Sequence, residues 1–208
     1  MIPVLLLATV GCSKGERDTR RPGSKNTVNT TESFETSCIS VGYEYWEASK
    51  YVLPYPVGKT YKTNRTHCST RSHAPGEPDQ YALDFGMGIG TIVTAAREGR
   101  VVFVEESGEP GEFPNNLVVI EHDDGTFAQY MHLDYQGAFV KVGQSVSQGD
   151  EIALSGDTGP AGYPHLHFVV TKNDSFEYPY KSIPTTFKNT KPNQQSLEPY
   201  TDYPAYPY

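Results

Sequence analysis

Short runs of β-branched and aromatic residues, each closed by a glycine-bearing turn, recur from about Tyr43 to Lys188 and constrain the fold more than any other feature of this chain. TIVTAA (residues 91–96) and GRVVFVEE (99–106) are parted by a short turn. NLVVIEH (116–122) runs into Asp124-Gly125, a strong hairpin signal, and then into TFAQYMHL (126–133). AFVKVGQSVSQGDEIALSG (138–156) reads as two short strands around turns at Gly143 and Gly149, and HLHFVVTK (165–172) closes the series. Helix-length periodicity is almost missing. Strands with turns every eight to twelve residues or so predict an all-β fold, an antiparallel sandwich or open barrel with long loops around a groove. At 208 residues, 37% hydrophobic, the chain is long enough for one well-cored domain plus extensions.

The extensions differ in composition from that core. Residues 2–10 are an apolar run of signal-peptide length, too short to span a bilayer as a mature helix. The Gly11-Cys12 that follows resembles a bacterial lipoprotein signal, which implies a lipid on Cys12, an exported chain and a membrane attachment. Residues 13–42 are rich in Ser, Thr, Asn and charge and read as a flexible linker, whereas 189–208 is a Pro/Tyr-rich tail, expected to be flexible or extended. The domain proper is therefore expected over 43–188. With Cys12 assigned to the lipid, Cys38 and Cys68 remain as an even pair that an oxidising envelope can join. A net charge of -8 with RDTRRPGSK (17–25) as its one basic run excludes a nucleic-acid footprint.

Candidate chemistry lies in the histidines. In PHLHF, alternation along a strand puts His165, His167 and Val169 on one face and Leu166, Phe168 and Val170 on the other, which goes to the core. Two imidazoles spaced about 6.5–7 Å apart along a straight strand favour one metal ligand and one acid/base group over two ligands. In YALDF, Asp84 projects away from Tyr81, Leu83 and Phe85, a pattern that an exposed strand aspartate also satisfies. His73 lies upstream across a Pro/Gly-rich loop able to fold it back beside Asp84. One carboxylate and two imidazoles make an N/O ligand set suited to zinc with a fourth position open. In YMHLD, His132 is expected to share a face with Tyr130, opposite Met131 and Leu133. His122 beside the hairpin turn reads as structural or surface, and His67 is a weaker rival to His73. APGEPDQ (74–80) and EESGEPGEFPNN (105–116) are candidate groove walls.

Taken in order, SH...YALDFGMGIGTIVTAAREGRVV, NNLVVIEHDDGTFAQYMHL, VKVGQSVSQGDEIALSGDTG and PHLHF resemble the LytM or lysostaphin-type zinc metallopeptidases, which cleave peptides of the bacterial cell wall. The resemblance implies the duplicated hybrid motif fold and a single zinc ion held by His73, Asp84 and His167. It also implies that His132 and His165 are the unligated catalytic histidines, which move protons and stabilise the developing oxyanion. Ten residues separate His73 from Asp84, more than the three of the commonest family pattern, and the longer loop resembles a recognised variant. The implied activity is that of a monomeric endopeptidase acting on peptidoglycan stem peptides or cross-bridges. A non-catalytic LytM-like module that binds the wall or activates a hydrolase is the alternative. A biotinyl or lipoyl carrier reading fails, because no Met-Lys turn is present.

Overall fold

The structure, a computed structural model, describes residues 42–172 and 176–208. The expected signal (1–12), all of the expected linker but Gly42, and Cys38 lie outside the described residues. Cys68 itself is disulfide-bonded.

Among the described residues twelve strands follow one another: β1 (Thr60–Arg65), β2 (Leu83–Gly86), β3 (Thr91–Thr94), β4 (Gly99–Glu105), β5 (Leu117–Glu121), β6 (Phe127–Met131), β7 (Leu133–Ala138), β8 (Ser145–Val146), β9 (Glu151–Ser155), β10 (Leu166–Lys172), β11 (Lys181–Ser182) and β12 (Asp202–Pro204). Helical structure among the described residues is confined to the two 3-10 turns Trp46–Ala48 and Arg71–His73. The larger sheet runs β12-β1-β2-β10-β6-β5-β4-β8 with β11 on β10, and the smaller runs β3-β9-β7. Every pairing between these strands is antiparallel. The sheets are open, as expected for a sandwich rather than a closed barrel.

Side-chain alternation explains the core. Leu83 and Phe85 of β2, Val118 and Ile120 of β5, Ala128 and Tyr130 of β6, and Leu166, Phe168 and Val170 of β10 point inward to meet Val93 and Ile152 of the smaller sheet. Turn chemistry sets the connections: Gly125, Gly143 and Gly149 all have positive φ (74°, 91° and 90°), which glycine adopts without a Cβ clash. On the opposite face of the larger sheet a small satellite of Ala82, Met131 and Val169 lies under the cleft described below.

Two expectations are corrected. The C-terminal stretch is extended, as one of the two expected forms, but packs on the domain instead of standing free of it: β12 pairs with β1, Leu197, Tyr203 and Ala205 are buried in the core, and Tyr55 donates a hydrogen bond to the Tyr203 carbonyl at 2.7 Å. The Pro/Tyr repeat misleads because proline is depleted in central strands, yet an edge strand tolerates Pro204, whose missing N–H faces no partner. His132 is the second correction. Its φ is +60°, which interrupts the alternation between β6 and β7. Tyr130 therefore stays in the core, Met131 and His132 both line the cleft, and Leu133 returns to the core.

Candidate metal centre

The register of the larger sheet builds the site. β2 and β10 pair with His167 directly opposite Asp84, while His167 also faces Met131 of β6. Both side chains are buried, as is His73, which the turn Arg71–His73 brings over the end of β2. The Asp84 Oδ1 atom lies 2.9 Å from His167 Nδ1 and 3.3 Å from His73 Nε2. His73, Asp84 and His167 each present a ligand atom within 4.8 Å of the others. His73 Nδ1 is buried without a hydrogen-bond partner, and the buried Asp84 Oδ2 has only the distant Arg65 Nη1, 3.9 Å away, as an ion-pair partner. Leaving such groups unpaired is costly inside a protein, so their convergence fits a cation, and a donor set of two imidazoles and one carboxylate suits zinc.

The electrostatics of the group agree. Burial alone would raise the Asp84 carboxyl, but the close His167 and His73 imidazoles, at 2.9 and 3.3 Å, hold it well below the usual carboxylate range. Burial would likewise push His167 down, yet Asp79 and Asp84 on either side carry it up to about 10.

His132 and His165 stand beside this group with a different environment. Their ring centroids are 4.7 Å apart, and together with His167 they form a second triad of atoms within 4.8 Å. His165 precedes β10 rather than lying inside it, so the spacing of a straight strand does not hold it away from His167. Each imidazole uses Nδ1 on a backbone carbonyl, His132 on Thr158 and His165 on Tyr163, both at 2.8 Å. Burial, reinforced by the charges of His167 and His165, pushes His132 down to about 3, and burial also lowers His165. Both are thus neutral near pH 7, with Nδ1 donating and Nε2 left as a base. The Asn115 side chain accepts from the His132 backbone N–H at 3.0 Å and so supports the left-handed turn.

A cleft of about 680 Å³ opens over these residues. The two candidate groove walls each contribute, Asp79 from residues 74–80 and Phe113 and Asn115 from 105–116. The third wall, Phe176, Glu177, Tyr178 and Tyr180, follows β10 and carried no motif in the sequence. His67 stacks on Tyr43 at 5.8 Å and stands in neither triad, which removes it as a rival to His73. His122 is buried, its Nδ1 on the Glu98 carbonyl at 2.7 Å, as a structural histidine should be. Asp79, close to His167, went unrecognised as a partner of the site, although its loop was singled out.

Fold and site together define an antiparallel β domain with a buried histidine–aspartate group able to hold a metal ion. Residues 79–179 match the model of peptidase family M23. The crystallised catalytic domain of lysostaphin from Staphylococcus simulans is 31% identical, the match covering 66% of this chain and 88% of that one, with a TM-score of 0.42. The chain belongs to peptidase family M23. The peptidoglycan DD-endopeptidase ShyA of Vibrio cholerae is 37% identical over 112 residues, 54% of this chain and 24% of the relative. An uncharacterized metalloprotease of Buchnera aphidicola is 31% identical over 120 residues, 58% of this chain and 29% of the relative. The chain therefore spans only about a quarter of the length of these curated relatives.

Proposed function

We propose that this chain is a zinc-dependent endopeptidase that hydrolyses peptide bonds in the stem peptides or cross-bridges of peptidoglycan. The observation that carries the reading is the convergence of His73, Asp84 and His167 in one buried group, in which His73 Nδ1 has no hydrogen-bond partner. The substrate class is supported by the named relatives, a peptidoglycan DD-endopeptidase and a glycyl-glycine endopeptidase.

His73, Asp84 and His167 hold the metal. Zinc, when bound there, supplies Lewis-acid chemistry, polarising a carbonyl and lowering the pKa of water. His165 is the general base: its Nε2 lies 3.6 Å from Asp84 Oδ1, the closer of the two free imidazoles to the carboxylate. With Nδ1 tied to the Tyr163 carbonyl, His165 takes the proton of the attacking water on Nε2 and returns it to the leaving amine. His132 lines the same cleft, its ring centroid 4.7 Å from that of His165, and is placed to assist at the developing oxyanion. All five groups come from one protomer, so the site works in a monomer.

The same reading makes the chain an envelope protein, exported and tethered through a lipid on Cys12, which the Gly11-Cys12 signal supports. No helix among the described residues is long and apolar enough to cross a membrane. Digestion of purified peptidoglycan and defined muropeptides, with and without a chelator and read by mass spectrometry, tests the function. Chelator-sensitive release of new amino termini is expected. A chain that holds zinc and binds the wall but cleaves nothing is a non-catalytic module.

A further inference from the structure

The metal reading leaves one nitrogen of His167 to be accounted for. Its Nδ1 faces Asp84, and its Nε2 lies 3.3 Å from Asp79 Oδ1. That same Asp79 oxygen accepts a hydrogen bond from the Tyr180 hydroxyl at 2.5 Å. We propose that Asp79 and Tyr180 are a positioning pair for His167, gripping the imidazole by its outer nitrogen so that the inner one is presented to the metal.

The tautomer follows from donor arithmetic. A neutral imidazole carries one proton, and a nitrogen that ligates a metal must not carry it. If Nδ1 joins the ligand set, the proton belongs on Nε2, where Asp79 is the acceptor it meets. A carboxylate in that place fixes the ring orientation and makes the ligating nitrogen more basic. Three of the four site histidines are sorted by this difference. His132 and His165 lean on neutral backbone carbonyls and remain weak bases suited to moving protons, whereas His167 leans on a charged carboxylate and is suited to holding a cation.

The pair is built from two distant segments. Asp79 belongs to the long loop between His73 and Asp84, which is closed on itself by bonds from Ala82 N to the Asp79 carbonyl (2.9 Å) and from Gly76 N to the Gln80 side chain (2.8 Å). Tyr180 comes from the segment after β10 and packs against the Ala82, Met131 and Val169 cluster. The loop's extra length thus has a use: it brings a carboxylate to the outer edge of His167, and Tyr180 locks it there from the other side of the cleft.

This inference rests on the metal reading, and one experiment separates the two. Zinc and cobalt affinities of the full chain are measured by competition with a chromophoric chelator for the wild type, Asp79→Ala, Asp79→Asn, Tyr180→Phe and the Asp79→Ala/Tyr180→Phe double variant. Asp79→Ala should weaken binding about 10- to 100-fold and shift the visible absorption of the cobalt form. Tyr180→Phe should weaken binding a few-fold in the wild-type background and not at all in the Asp79→Ala background, because it acts through Asp79. Wild-type affinity in a folded Asp79→Ala variant, or an equal Tyr180→Phe effect in both backgrounds, overturns the pair. Should Asp79→Ala not fold, the same coupling is read in the Asp79→Asn background. A wild-type chain that takes up no metal overturns the metal reading and the pair with it.

Discussion

Two groups of histidine and aspartate in this molecule are assembled in opposite ways. His122, Asp123 and Asp124 are consecutive. In the structure their carboxylates are taken by cations: Arg97 reaches both aspartates, and Lys50 lies 2.9 Å from Asp124 Oδ2. Arg97 also stands over the Tyr51 ring, 5.7 Å from its centroid, and the same tyrosine meets His122 edge-on at 5.5 Å. His73, Asp84 and His167 come from three separate segments, yet they converge in one buried group in which His73 Nδ1 has no hydrogen-bond partner. His122 Nε2 is also unpaired, but no second ligand converges on it among the described residues. Proximity in sequence built a structural knot, and convergence in space built the site.

Mutation should separate the two groups. The largest effect is expected for His167→Ala, which removes the residue shared by both triads: metal content should fall to background and cleavage to the level of chelated wild type. His122→Ala should retain stoichiometric metal, as read by elemental analysis. Next comes His165→Ala, expected to keep its metal and lose about 10²- to 10⁴-fold in kcat as a general base is removed. Equal loss of metal in that variant would make His165 a ligand instead.

Smaller effects belong to the structural group. Burial, with Arg97 nearby, lowers His122 to about 4, against an ordinary imidazole near 6.5. The unfolded chain therefore binds a proton at this residue that the folded chain refuses between those values, so stability should fall as the pH drops from about 6.5 to 4. The full shift corresponds to about 3 kcal/mol. Urea unfolding of the wild type and His122→Asn across this range should show the difference between them shrinking or reversing toward acid, and parallel curves would exclude His122 as the cause. Last, Arg97→Ala should cost about 1–3 kcal/mol, since the aspartates it leaves are partly exposed. Its metal affinity should be unchanged.

Much of this was legible in the chain. Turn glycines and β-branched runs marked β3 to β10, because both signals act within a few residues. Strand alternation correctly sent Leu166, Phe168 and Val170 inward and left His167 on the other face. Alternation failed at His132, where one left-handed residue shifts the phase, and no local signal for that is present in YMHLD. Composition failed at 189–208, since a Pro/Tyr repeat does not reveal that β1 offers it an edge. Asp79 and Tyr180 escaped notice because the contacts that give them meaning span about a hundred residues.

The central claim is that His73, Asp84 and His167 gather a metal used for peptide hydrolysis. The most direct test is the appearance of new amino groups from purified peptidoglycan, followed in one sample through chelation and zinc restoration, with bound zinc measured alongside. The account predicts one zinc per chain, and cleavage that stops on chelation, returns with zinc and is missing in His167→Ala. Zinc bound at one per chain with no new amino groups from peptidoglycan or its muropeptides would contradict it.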